Sequence, residues 1–299
     1  MNGICRLCLE IKDLKMSHIV PKFVWRWVRN PVPGGLRNSR TPNQRIQDGP
    51  KAYLLCGDCE QLLSEWEKPF SEKLFLPLHD PEPVTKPIEY EEWALKFAVS
   101  VSWRVLIFFL NEGGASNFTS LQQKLSAKAL KTWRQFMLGK IDSPGRFEQH
   151  LLPVDVIASY QGPQISPYLN RYLVRNIHID LISTEKSAYV YTKMCRLILF
   201  GRIEEVHPNQ WVGMKLNLRH GNIRPRDYHI PAGIADYMNR KANQVKQTLD
   251  SLSPRQQEIV NASIIKNADR IANSEIFRAM KYDIAYSGRK AFKEEKNED

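Results

Sequence analysis

From residue 90 to 110, Trp93, Phe97, Val101, Arg104, Val105 and Phe108 recur at steps of three and four residues. That is the period of a helix, and the positions between are apolar enough for it to be largely buried. Asn111-Glu112-Gly113-Gly114 stops it. A second helix is expected over about 119–138, ended by Gly139. The period then changes. Residues 172–181 alternate through Leu173, Ile177, Ile179 and Leu181, and 188–200 is a β-branched and aromatic run closed by Gly201. These read as two strands, an antiparallel pair joined by the polar Ser183-Thr184-Glu185-Lys186 turn. Helical spacing returns over 234–252 and from Pro254 to about Arg278, with Ser253 as cap and the proline in the first turn. The tail after Gly288 is charged and expected to fray.

Punctuation divides this pattern. Pro77, Pro81, Pro83 and Pro87 fall within eleven residues, among Asp80, Glu82 and Thr85. Proline lacks the N–H a helix needs, so 77–89 reads as an extended linker between an N-terminal segment, 1–76, and a larger domain, 90–299. A chain of 299 residues fits two domains, and 42% hydrophobic residues suffice for real cores. The fold class expected is α+β. The longest apolar run, 105–110, is far short of the ~20 residues of a membrane span, and no apolar leader precedes Cys5. The expectation is a cytoplasmic protein with no membrane association.

Chemistry concentrates before the prolines. Four of the five cysteines form two CxxC pairs, Cys5 with Cys8 and Cys56 with Cys59. Two such knuckles supply four thiolates, the tetrahedral donor set of a structural Zn²⁺. Reduced thiols also fit a reducing compartment. Cys195 stands apart, within an apolar strand, and reads as an inert core thiol.

Between the pairs lies Ser17-His18-Ile19-Val20-Pro21, and the second pair reads Leu55-Cys56-Gly57-Asp58-Cys59-Glu60. A CxxC, a His-Ile-x-Pro step and a Leu-Cys-x-x-Cys opening a helix resemble the HNH endonuclease family, the ββα-metal fold built on a treble-clef zinc. The resemblance covers about residues 1–70. It implies a metal-dependent nuclease in which His18 is the general base and a catalytic Mg²⁺ or Mn²⁺ stabilises the phosphate. The chain departs from the family pattern at three places. Ser17 replaces the acidic ligand before the histidine, Glu60 replaces the histidine after the second CxxC, and Asp48 is the nearest substitute for the central asparagine. Glu60 binds hard cations well, and Ser64 and Glu67 share its helix face, so a rewired site of Glu60, Glu67, His18 and Asp48 is one reading. The other is that Glu60, Glu65 and Glu67 are helix-start and surface charges, and His18 a structural donor or an alternative zinc ligand.

Charge sharpens the partner. The chain carries a formal net charge of +11, and residues 15–51 hold eight basic residues against one acid, Asp48. Lys22, Arg26, Arg29, Arg37, Arg40 and Arg45 are the candidate contacts to a nucleic-acid backbone, DNA first. Phe23, Trp25 and Trp27 interleave with them, available for base stacking or for a small core beside the zinc. A second basic loop, 217–226, reads as phosphate contact or as solvated surface. Beyond residue 90 no motif points to a reaction. The leading expectation is therefore an HNH-like nuclease with a role in defence against foreign DNA. The alternatives are a zinc protein that binds nucleic acid without cutting it, and a zinc-stabilised protein-interaction module.

Overall fold

A computed structural model of the chain describes residues 1–29, 35–37, 41–80, 82, 84–157, 165–224 and 228–291. Arg40, the 31–34 loop, Arg226 and the end of the tail, 292–299, lie outside the described residues. The chain forms two compact units. The first comprises Met1–Val24, Gly49–Pro153 and Ile177–His229; the second comprises Trp25–Asp48, Val154–Asn176 and Ile230–Asp299. Both are discontinuous, so the proline-rich stretch falls inside the first unit rather than between domains. The class is mixed α and β.

The first unit begins with β1 (Asn2–Ile4), β2 (Ile11–His18) and β3 (Lys51–Cys56), an antiparallel sheet in that order. A register shift between Lys15 and Met16 lies just before the Ser17–Ala52 and His18–Lys51 pairs. Helix α1 (Lys22–Val28) follows β2, and α2 (Gly57–Phe70) follows β3 without a connecting loop. A π-helical turn, Ser71–Phe75, and the short α3 (Leu76–Leu78) extend α2. Pro77 sits in α3, which directly continues the π-helical turn, so helix and not linker backbone occupies its position.

After β4 (Ile88–Glu91), α4 (Glu92–Asn111) is the core helix. It is long and apolar enough to cross a membrane by length and composition, yet 72% of that window is buried within the protein. Its Phe97 stacks on Phe70 of α2 at 3.7 Å between ring centroids, and Phe23 packs edge-on against Phe75 at 5.0 Å. Burying each such ring is worth roughly 1.5–3 kcal/mol. Helix α5 (Ser120–Met137) opens with a full capping box. Thr119 Oγ1 accepts from the Gln122 N–H at 3.2 Å, and Gln122 Oε1 accepts from the Thr119 N–H at 3.1 Å.

Both helices cover a four-stranded antiparallel sheet ordered β5-β8-β7-β6, made of β5 (Gln149–Pro153), β6 (Ile177–Ser183), β7 (Ser187–Met194) and β8 (Leu197–Glu205). The expected β6–β7 hairpin with its 183–186 turn is present, but the 188–200 run is two strands rather than one. Cys195 takes a left-handed φ of 57° in the tight turn between β7 and β8 and is fully buried, so it is no strand residue. Gly201 on β8 is needed for close helix–sheet approach, since a Cβ there would lie 2.6 Å from Ser102 Oγ on α4. A two-stranded ribbon of β4 with β9 (His220–Ile223) completes this unit.

The second unit holds most of α1 with α6 (Leu169–Arg175), α7 (Ala232–Asp250), α8 (Pro254–Lys266), α9 (Ala268–Ala272) and α10 (Glu275–Ser287). Tyr172, expected at the start of a strand, is in α6. Asp283 of α10, 1% exposed, accepts from the Asn170 N–H at 2.9 Å and Arg171 Nε at 2.7 Å, a carboxylate seated at the α6 start where the helix dipole favours it. Ser253 caps α8 as expected, its Oγ accepting from the Gln256 N–H at 3.4 Å. The single helix expected from 254 to 278 is three, broken after Lys266 and again after Ala272.

Candidate metal centre and the adjoining polar site

The first CxxC lies in the turn from β1 to β2, and the second closes β3 and opens α2. The antiparallel sheet therefore brings residues 48 apart in sequence together: Cys8 Sγ lies 4.0 Å from Cys56 Sγ, and all four sulfurs lie within 4.8 Å of one another. Cys5, Cys56 and Cys59 are buried and Cys8 half-buried. The Cys56 N–H donates to Cys5 Sγ at 3.4 Å, and Leu9, at a φ of 68°, turns the chain out of the first knuckle. The titration of the bare thiols is divided. Burial raises Cys5, but N–H groups of Cys8, Cys56 and Leu7 outweigh it and lower the thiol to about 7. Burial, with the Cys56 and Cys5 sulfurs beside it, pushes Cys59 well above its ordinary value. Four sulfurs this close cannot all ionise against one another, and a dication at their centre removes that conflict. The group is fit to hold one metal ion.

A second polar group adjoins this cluster. Glu60 follows Cys59 in the first turn of α2, and its Oε1 accepts a hydrogen bond from Ser17 Oγ near the end of β2. Ser17 is 1% exposed. Ser17 and Glu60 thus meet and satisfy each other. Glu67, two turns along α2, is paired with Arg104 of α4 at 2.9 Å. Arg104 is 2% exposed, and its Nη1 also donates to the backbone oxygen of His18 at 3.1 Å. Arg104 therefore ties the end of β2 to α2 and uses Glu67 as its counter-charge. Glu65 is exposed, and Ser64 is exposed with its Oγ turned to Gln61 O at 2.7 Å.

The chain matches no family model, no curated protein and no solved structure.

The remaining candidates fall in both units. Asp48 belongs to the second unit, whereas His18 and Glu60 belong to the first. Lys22 and Arg26 are one helical turn apart on α1, Arg29 follows its end, and all three are exposed. Trp25 is buried and Arg175 lies 4.5 Å over the Trp27 ring, so these indoles serve packing. Arg37 donates to Pro42 O at 2.7 Å and to Gln256 Oε1 at 2.8 Å; burial and then the charge of Arg45 lower its pKa. Arg45 is exposed. Sequence reasoning missed a buried polar cluster at the β7–β8 turn. His79, 3% exposed, stacks on Phe75, donates from Nδ1 to Phe75 O at 2.6 Å, and accepts at Nε2 from the Arg196 N–H at 2.9 Å. Burial holds its pKa down to about 3. Lys193, fully buried, donates to Cys195 O and is lowered to about 7 by burial. The only signal in the sequence was a lysine interrupting an apolar run.

Proposed function

We propose that the N-terminal part of the first unit is a treble-clef, HNH-like module that hydrolyses phosphodiester bonds in DNA, acting in the cytoplasm in defence against foreign DNA. What carries the reading is the meeting of Ser17 and Glu60 beside the four-cysteine group, at the two positions where the family places metal ligands. The structural metal of the cysteine group is Zn²⁺, the ion suited to four thiolates. It holds the knuckle and the start of α2 together and takes no part in the chemistry. Glu60, oriented by Ser17, and His18 are the residues that would hold and use a catalytic Mg²⁺ or Mn²⁺, which supplies charge stabilisation at the phosphate when bound. His18 removes the proton of the attacking water. The Arg104 bond to His18 O fixes the strand end that presents this imidazole. Lys22, Arg26, Arg29 and Arg45 contact backbone phosphates, a binding mode that weakens steeply with salt.

The pairing of Glu67 with Arg104 favours a second reading. Among the described residues it leaves Glu60 as the carboxylate bonded to Ser17, a sparse donor set for a hard cation. In that reading the module kept its scaffold and binds nucleic acid without cutting it.

Nicking of supercoiled plasmid by the zinc-loaded full chain, with Mg²⁺ or Mn²⁺, separates the two. Wild-type protein is expected to nick, with His18→Ala and Glu60→Gln each slower by about 100-fold or more. Equal nicking by His18→Ala removes the base assignment. No nicking with either metal, alongside a salt-sensitive gel shift, supports the binding reading.

A further inference from the structure

A cavity of about 300 Å³ opens in the first unit between the first cysteine knuckle, α4 and α5. Its rim carries three cations: Arg6 from within the knuckle, and Lys131 and Arg134 one turn apart on α5. No carboxylate lines it. Arg134 is held in place, its Nε donating to Leu7 O at 2.6 Å, with its two Nη groups outside that bond. Arg6 and Lys131 are exposed. The floor is apolar, formed by Trp103, Ile107 and Leu130. Asn111, at the end of α4, adds one amide.

Each part of this lining limits the occupant. Three cations with no carboxylate among the described lining residues, two of them arginines, suit a phosphate better than a single carboxylate. A phosphate alone has no use for an apolar floor, so the ligand has a ring or chain to bury there. The Asn111 amide in the lining matches the donor–acceptor edge of a base and offers nothing to an alkyl tail. The volume is at the low end for small-ligand pockets, about 300–1,000 Å³, room for one such unit. We infer that this cavity binds a single nucleotide, its phosphate on Arg6, Lys131 and Arg134 and its base against the α4–α5 floor. Two sources share that chemistry: a free mononucleotide and the 5′-phosphorylated end of a strand. The inference does not depend on the nuclease reading, because none of these residues belongs to the Ser17–His18–Glu60 group.

Isothermal titration of the zinc-loaded full chain tests it, with AMP, adenosine, inorganic phosphate, laurate and a short single-stranded oligonucleotide with and without its 5′-phosphate. AMP or the phosphorylated oligonucleotide is expected to bind one per chain, at least tenfold tighter than adenosine, phosphate or laurate. Arg6→Glu and Lys131→Glu, both at exposed positions, should each weaken it tenfold or more with the thermal midpoint unchanged. Preference for AMP assigns the free nucleotide; preference for the 5′-phosphorylated over the unphosphorylated strand assigns the strand end. The inference is overturned if neither ligand binds, if phosphate or laurate binds as tightly, or if both variants bind like wild type. Plasmid nicking by the same variants keeps the two proposals apart, since loss of nucleotide binding with nicking retained touches only this site.

Discussion

The first unit contains polar groups of two kinds. The four cysteines, the Arg104–Glu67 pair and the His79–Arg196–Lys193 cluster have their partners inside the protein and are buried or nearly so. The Ser17–Glu60 contact with His18 beside it sits at the margin, with Ser17 buried but Glu60 and His18 half-exposed. Buried polar groups must be satisfied internally or the fold suffers. Groups at a margin can keep binding capacity for something outside. The difference teaches where to look for stability and where for function, and substitutions should separate the two.

The largest effect is expected from the cysteines. Cys59→Ser, or stripping the metal with a chelator, should lower the thermal midpoint by roughly 10 °C or more, because metal binding is folding free energy in such modules. Elemental analysis should find one zinc per chain in wild type. If Cys59→Ser melts as wild type does, the cluster is not a structural centre. Next comes Arg104→Met, which leaves Glu67 without its counter-charge and His18 O without its donor. A fully buried broken pair costs about 3–5 kcal/mol, and the partial exposure of Glu67 reduces this to about 2–3 kcal/mol in urea unfolding.

A subtler prediction concerns Lys193, whose ammonium burial lowers to about 7. Between about pH 7 and pH 10 the unfolded chain holds a proton that the folded chain has released, so this lysine makes stability rise with pH, by up to about 1.4 kcal/mol per unit. Below about pH 7 both states hold the proton and the penalty is full and constant. Lys193→Met should remove this rise. Urea melts of both proteins at pH 7.5 and 9 measure it, and parallel changes would rule out a neutral lysine. The smallest stability effect belongs to the open surface. Arg26→Ala with Arg29→Ala should leave the midpoint within about 1 °C. The pair should instead flatten the salt dependence of DNA binding in gel shifts by about two units of log–log slope. An unchanged slope would remove α1 from the interface.

Much of this was legible in the chain. The CxxC spacing located the four sulfurs, and the three–four periodicity located α4 and α5, because both signals are local. Ser253-Pro254 gave the start of α8 for the same reason. What escaped was non-local or disguised. The β7–β8 turn is built from Cys195 and Arg196, buried residues of a kind that do not announce a turn, and it is fixed by Lys193 and by His79 from 117 residues away. Arg104 looked like one position of an apolar helix face, yet it is the counter-charge of Glu67. Pro77 looked like a linker residue because a proline is equally at home in a first helical turn. The cations lining the cavity beside α4 and α5 were equally hidden, with Arg6 in the knuckle and Lys131 and Arg134 more than a hundred residues on.

The interleaving of the two units has a consequence for synthesis. The first unit needs residues up to His229, and the second takes two segments from between its pieces and one from after them. On a ribosome, the cysteine knuckles and β3 emerge early, but the sheet that backs α4 lacks three of its four strands until after residue 176. A nascent chain carrying residues 1–153 therefore displays the apolar flank of α4 with little to cover it, a period in which a chaperone or early zinc uptake would matter. Truncations at the proline stretch cut through one compact unit instead of releasing two.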